Sequence, residues 1–208
     1  MNPLRLVVYS DYLCPWCFNA AVRLRRVEEE FAGAVELEWR TFLLRPEPSA
    51  RERDLEKFRA YTQSWLRPAA EPDAGTFRVW EGDAGPPSHS IPPHLAAKAA
   101  ASLGGAEFRR MHDRLLHAYF AENRDISDAD TLRAVWGEAG LPEAEFARIA
   151  EPRFVRQVAE EYDAAIALGV NGVPAVRADG DDAFITGAYP VEMYRRWVRR
   201  LLDARAAS

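Results

Sequence analysis

The segment Cys14-Pro15-Trp16-Cys17 constrains this chain more than any other. It contains both cysteines of the 208 residues. It follows the apolar run Leu6-Val7-Val8-Tyr9, which reads as a strand buried on both faces of a sheet. Beyond it, Ala20, Ala21, Leu24, Val27 and Phe31 recur at helical spacing, and Gly33 ends the helix. Two thiols where a strand gives way to a helix can close or open a small disulfide ring with little rearrangement. The first thiol meets the unpaired N–H groups and the positive dipole end of the helix, which favour the thiolate, the attacking species.

Blander roles fit the pair less well. A structural zinc site needs four ligands, and the chain has no second cysteine pair. His89, His94, His112 and His117 lie far away in sequence, and the five-residue step from His112 to His117 is poor for two ligands on one helix face. No metal is expected. A purely structural disulfide would close a loop too short to restrict the unfolded chain much. A structural disulfide stays open, and redox chemistry is the favoured reading.

Val35, Leu37, Trp39 and Thr41 alternate with Glu36, Glu38 and Arg40, a second strand. The opening is therefore β-α-β, with the thiols at the carboxyl end of the first strand, where open α/β sheets place their chemistry. Prolines then break the pattern, and a polar helix is expected from about Arg51 to Trp65. Pro68 to His89 reads as a long loop, with Phe77, Val79 and Trp80 as an apolar anchor. Helices follow over Pro93–Leu103 and Glu107–Ala121. Another is opened by a capping box at Ser127–Asp130 and stops at Gly140. Pro142 fits a first helical position, and Phe154, Val158, Tyr162 and Ile166 line one face of a last helix before the pattern changes. The apolar stripes are core positions. His112 and His117 are expected on partly exposed faces, and Trp80, His94 and Tyr119 are weak candidates for lining a cleft. Two short strands, Ala175–Ala178 and Ala183–Thr186, are joined by a Gly180-Asp181 turn, and a C-terminal helix carries Val191, Tyr194, Trp197, Val198 and Leu201.

A net charge of −5 gives no basic surface for nucleic acid or an anionic membrane. No apolar run approaches the length of a membrane span. The first residues lack the features of a signal peptide, so a cytoplasmic location is expected, where a close cysteine pair is more often catalytic than structural.

The element order, with Cys14-Pro15-Trp16-Cys17, Phe42-Leu43-Leu44-Arg45-Pro46 and Gly169-Val170-Asn171-Gly172-Val173-Pro174, resembles the DsbA-like family, particularly its cytoplasmic FrnE-type branch. The resemblance covers essentially the whole chain. It implies an α/β protein, a thioredoxin fold with an inserted all-helical domain. Residues 1–45 and 154–208 would form the thioredoxin-like domain, and 46–153 the inserted loop and helical domain. It implies that Pro174 is a cis-proline facing the thiols and that the Val173 backbone is free to pair with an extended substrate. Pro15 and Trp16 would contact that substrate. Two departures stand out. Trp16 occupies a position where the periplasmic oxidants of the family carry histidine, and there is no further cysteine pair for an internal relay.

The function expected is thiol–disulfide oxidoreduction, with Cys14 as nucleophile and Cys17 as resolving thiol. The substrate would be a disulfide-containing protein or a small thiol. No cofactor is expected, with glutathione left open as a thiol partner; the oligomeric state is not indicated. The competing enzyme class is a glutathione-dependent isomerase or transferase of the kappa or 2-hydroxychromene-2-carboxylate type. Those proteins share the fold and typically carry serine where Cys14 stands. A non-enzymatic thiol sensor is the third possibility.

Overall fold

The computed structural model describes residues 2–48 and 54–207. Its centre is a four-stranded sheet of order β2-β1-β3-β4, formed by β1 (Leu4–Ser10), β2 (Val35–Thr41), β3 (Ala175–Ala178) and β4 (Ile185–Thr186). β1 runs parallel to β2 and antiparallel to β3, with Val8 opposite both Trp39 and Val176. Helix α1 (Pro15–Glu30) makes the crossover from β1 to β2.

Alternation along β1 decides what covers each face. Leu4, Leu6 and Val8 point to a core shared with Ala20, Leu24 and Val27 of α1 and with Val191, Tyr194 and Val198 of the terminal helix α8 (Val191–Ala206). Val7 and Tyr9 point the other way, to a smaller core with Phe42, Val170 and Ala165 of α7 (Pro152–Ala167). A strand buried on both sides has no polar face, which is why its sequence reads as a continuous apolar run.

Among the described residues between β2 and α7 there is no strand. This part comprises α2 (Leu55–Thr62), a single 3-10 turn Gln63–Trp65, α3 (Leu66–Ala69), α4 (Ile91–Ala101), α5 (Gly105–Phe120), α6 (Ala129–Glu138) and a 3-10 segment Glu143–Ala150. Their core is aromatic: Trp65 packs edge-on to Phe120 at 4.9 Å and to Tyr119 at 5.2 Å. Tyr12, Leu13, Phe18 and Ala21 extend the same core to the loop before Cys14 and to α1. The Phe77–Trp80 island anchors its loop as expected. Phe77 packs on Phe18 and Phe120, and Trp80 is 1% exposed. Burying one such ring is worth about 4–6 kcal/mol at roughly 25 cal/mol per Å², enough to offset the ordering of a few loop residues.

Several local expectations are corrected. α2 begins at Leu55, capped by Asp54, and the expected start near Arg51 lies outside the described residues. The cap of α6 is Asp128, which accepts from the Thr131 N–H, whereas Ser127 bonds to Asp125 instead. Asp and Ser are both good caps, and sequence spacing alone does not choose between neighbours. Pro142 precedes a 3-10 segment, and the proline in the first turn of α7 is Pro152. The 153/154 division thus falls inside the first turn of that helix. β4 is only two residues long.

Candidate active site

Cys14 is the N-cap of α1, placed there because β1 ends at Ser10 and Pro15 opens the helix with the φ it needs. Both cysteines are free thiols. The Cys17 backbone N–H donates to Cys14 Sγ at 3.3 Å, the bond an N-cap side chain makes and one able to stabilise a sulfur anion. On its other side the Cys14 thiol donates to the Val173 carbonyl at 3.4 Å. The Val173–Pro174 bond is cis. The loop before β3 thus brings residues 173 and 174 to a thiol some 160 positions earlier in the chain.

The two thiols are not equivalent. Cys14 retains 5% exposure and Cys17 none. Burial pushes the Cys17 thiol well above the ordinary range, and the neighbouring Cys14 adds to this. The Asp11 backbone N–H and the Ser10 hydroxyl pull it the other way. Cys14 is the sulfur from which a substrate can be approached.

Beside it lies an open depression of about 400 Å³, lined by Trp16, Gly172, Val173, Thr186, Gly187 and Tyr189. Trp16 and Val173 are partly exposed there, and the Arg67 guanidinium sits 5.9 Å from the Trp16 ring. Pro15 is also partly exposed, and Pro174 is buried.

Three buried polar residues that the sequence reading did not single out hold this arrangement. The Asp11 carboxylate accepts from the Leu13 and Leu44 backbone N–H groups, both at 2.6 Å, and so ties the loop before Cys14 to the segment after β2. Burial holds that carboxyl above the usual range, against those bonds, a bond from Ser90 and the charge of Arg45. Arg23 of α1, fully buried, donates to the Ala188 and Tyr189 carbonyls at 2.8 and 3.1 Å and to the Pro72 carbonyl at 2.8 Å. It fixes a wall of the depression to the long loop. Asn19, on the same helix, bonds to Pro68 of α3 and to Gly75 of that loop. The available signal was position: polar residues at apolar places of α1, and a Ser-Asp pair between an apolar strand and the thiols.

The histidine expectations need correcting. His112 is 2% exposed, packed against Tyr12, Trp39 and Phe108, while His117 is exposed on α5. Trp80, His94 and Tyr119 line no open cleft; each is at most 5% exposed. Among the described residues no group of three or more His, Cys, Asp or Glu side chains is placed to hold a metal ion. No helix there is long and apolar enough to cross a membrane.

The chain and its fold are matched among known proteins. Residues 5–198 match the family model of the DSBA-like thioredoxin domain, and the chain belongs to that family. A Bacillus subtilis relative, the uncharacterized protein YwbO, is 30% identical over 161 residues, covering 74% of this chain and 76% of its own. A probable DsbA oxidoreductase from Streptomyces coelicolor superposes with a TM-score of 0.75 at 23% identity, over 95% of this chain and 89% of that one. The cytosolic disulfide reductase DsbM from Pseudomonas aeruginosa gives 0.74 at 21% identity, over 98% and 99%, and has also been solved with GSH. A 2-hydroxychromene-2-carboxylate isomerase gives 0.65 at 19% identity, over 98% of both chains. These structural likenesses establish the fold.

Proposed function

We propose that the protein is a thiol–disulfide oxidoreductase working through a Cys14–Cys17 dithiol/disulfide couple. The observation that carries this reading is the environment of Cys14, an N-cap thiol with a helix N–H on its sulfur, at the edge of an open depression. The Cys14 thiolate attacks one sulfur of a substrate disulfide, and the other leaves as a thiolate with the bonding electrons. Cys17 then loses its proton and attacks Cys14 Sγ. The second substrate sulfur departs, and the Cys14–Cys17 bond closes with two electrons passed to the substrate. A small thiol such as glutathione would run the couple back.

Pro15, Trp16 and Val173 would contact the substrate, a protein disulfide or a small mixed disulfide, and Pro174 would shape the loop that presents Val173. The inserted unit, 46–153, would cover the thiols from one side, the 1–45 and 154–208 unit carrying the chemistry. We place the protein in the cytoplasm, in the FrnE-type branch; the likeness to a cytosolic reductase supports this placement. Trp16 carries no charge, so the thiolate lacks one charge-assisted hydrogen bond that a histidine would supply. A couple with a less stabilised thiolate is the weaker oxidant, so reduction or isomerisation is the favoured direction.

The test is turnover of a disulfide substrate in a glutathione-coupled assay. Cys14→Ser should be inactive, and Cys17→Ser should accumulate a mixed disulfide. Full activity of Cys14→Ser would overturn the reading in favour of isomerase chemistry.

A further inference from the structure

Among the described residues, no charged side chain lines the depression beside Cys14. Its polar side-chain groups are the Trp16 indole and the Thr186 and Tyr189 hydroxyls. One cation stands at its margin. The Arg67 guanidinium, presented by α3, lies over the Trp16 ring at 5.9 Å from its centre, within the reach of about 6 Å at which a ring face attracts a cation. Arg67 is exposed, and among the described residues no carboxylate pairs with it. Glu71, four residues further on, faces Arg23 at 3.6 Å instead. Arg114, Arg124 and Arg133 of the same inserted helices are, by contrast, each held by a glutamate. The backbone beneath Arg67 is fixed. Trp65 is buried in the aromatic core, Pro68 is buried, and the Pro68 carbonyl accepts from Asn19 Nδ2 at 2.9 Å. Helix α1 therefore carries the thiols and, through Asn19, holds the segment that presents Arg67.

We infer that Arg67 is a specificity-determining residue that selects disulfides carrying a carboxylate beside the attacked sulfur. The inference rests on the dithiol reading above and deepens it. A guanidinium offers a rigid fork of N–H donors that matches a carboxylate with two parallel hydrogen bonds. Arg67 has one face on an indole and no carboxylate of its own, so the fork is free for a substrate. Without it, an anionic disulfide meets an uncharged depression on a protein of net charge −5, which repels it. With it, the carboxylate is drawn to the Trp16 side, and the attached disulfide lies in the depression on which Cys14 opens. The Cys14 thiolate then bonds to the near sulfur, and the substrate S–S bond breaks with its electron pair on the far sulfur. The carboxylate can belong to a small anionic disulfide or to an acidic residue beside a cystine in a protein; a carboxylate adjoining the disulfide is common to both.

The test compares two chromogenic disulfides mixed with the reduced protein at neutral pH. Dithiobis-nitrobenzoate has a carboxylate on each ring, and dithiodipyridine has none. The first phase of colour release reports attack by Cys14. Arg67→Gln should slow that phase about fivefold with the anionic disulfide, the upper end for an exposed charge pair, and less than about twofold with the neutral one. Arg67→Lys keeps the charge without the fork and should fall between wild type and Arg67→Gln. Arg200→Gln removes the same charge from a separate groove, beside Met193 and Trp197 of α8, and should leave the ratio of the two rates unchanged. A pair of peptide disulfides, with glutamate or glutamine next to the cysteine, locates the source. An Arg67-dependent preference for the glutamate peptide assigns the selection to acidic protein substrates. A preference confined to the nitrobenzoate assigns it to small anionic disulfides. Equal losses with both chromogenic disulfides, no loss with either, or the same loss of preference in Arg200→Gln would overturn the inference while leaving the dithiol reading intact. A reduced wild-type protein that attacks neither disulfide refutes the dithiol reading and the inference with it.

Discussion

A buried ion pair between α4 and α7 helps tie the inserted helices to the end of β2, and cutting it from either side should cost far more than removing it whole. Lys98 Nζ of α4 lies 2.5 Å from Glu161 Oε2 of α7, with side chains 8% and 5% exposed. Glu161 is richly supported. The Thr41 backbone N–H at the end of β2 donates to Oε2 at 2.7 Å, Gln157 donates to Oε1 at 2.9 Å, and Arg40 stands 3.7 Å away. Lys98 has only the Trp39 carbonyl at 3.4 Å besides. Burial draws Lys98 below the ordinary lysine range. Lys98 and the Thr41 N–H hold Glu161 below the ordinary glutamate range, against its own burial.

Lys98→Met leaves a carboxylate with three remaining partners, so its cost should sit near the lower end of the range for breaking a buried pair, about 3 kcal/mol. Glu161→Leu strands an ammonium and also the Thr41 N–H, and should cost about 5 kcal/mol. The double variant buries no charge and strands only that N–H, at roughly 1–3 kcal/mol. The coupling is therefore about 5 kcal/mol or more, far outside the roughly 0.5 kcal/mol scatter of independent sites. The assay is denaturant unfolding of the reduced protein, with Tm as a check: Lys98→Met should lower it by roughly 6–12 °C for a chain of this size. pH adds a second reading. Because the folded Glu161 carboxyl titrates below its unfolded value, its contribution is complete above about pH 4.3 and is lost as pH falls through the lowered folded value. Glu161→Leu should flatten that acid limb. Additive single and double variants, or singles under about 1 kcal/mol, would refute the argument.

Three further outcomes follow from the site. Limited alkylation of the reduced protein near pH 6 should label Cys14 before Cys17, as peptide mapping would show, because only Cys14 retains exposure. Gly75→Ala should cost about 1–3 kcal/mol by thermal unfolding: its Cβ would sit 2.5 Å from the Phe18 ring, which Phe77 and Phe120 flank. Asp11→Asn should cost roughly 1–3 kcal/mol at neutral pH, since an amide cannot accept at both ends from two backbone N–H groups. It should also remove a pH dependence: the folded Asp11 carboxyl binds its proton more tightly than the unfolded one. Wild-type stability therefore carries a component that falls as pH rises from about 3.9 to the raised folded value, and this should vanish in a urea-midpoint series for the variant.

What was legible in the sequence was whatever local pattern decides. β1 and β2 were readable because one is apolar on both faces and the other alternates. α1 was readable because its stripe follows immediately on Cys14-Pro15-Trp16-Cys17. The resemblance, not periodicity, brought Pro174 into view; nothing in Gly172-Val173-Pro174 says which isomer the bond adopts or that Val173 meets a thiol. The misses share a cause. His112 sits on an amphipathic helix at a position that reads as a boundary, and the approach of Trp39 from β2 and Tyr12 from the loop before Cys14 helps to bury it. Arg23 looks like a solvated charge on α1 until the loops at Pro72 and Ala188 close over it. Ser127 and Asp128 are equally good caps, and Ser127 is drawn off by Asp125. Long-range partners decided the first two, and a side chain two residues away decided the third.

On the proposed dithiol reading, the surroundings of the two thiols form two environments with different chemical duties. The front of Cys14 is built from backbone: a helix N–H, the Val173 carbonyl and the open depression. Little there must move when substrate and solvent replace one another. The back of the pair is built from buried side chains. Ser10 and the Asp11 N–H address Cys17, and the Asp11 carboxylate braces the loop against the segment after β2. A nucleophile needs access and modest stabilisation of its anion, which backbone dipoles at a helix start supply without a mobile group. A resolving thiol needs the opposite: protection from outside disulfides, hence burial, and then specific donors to offset the raised cost of its anion. Trp16 belongs to the first environment, where a charge would tune the exchange. The donors behind Cys17 belong to the second, where loss of one should slow resolution while leaving initial attack less affected.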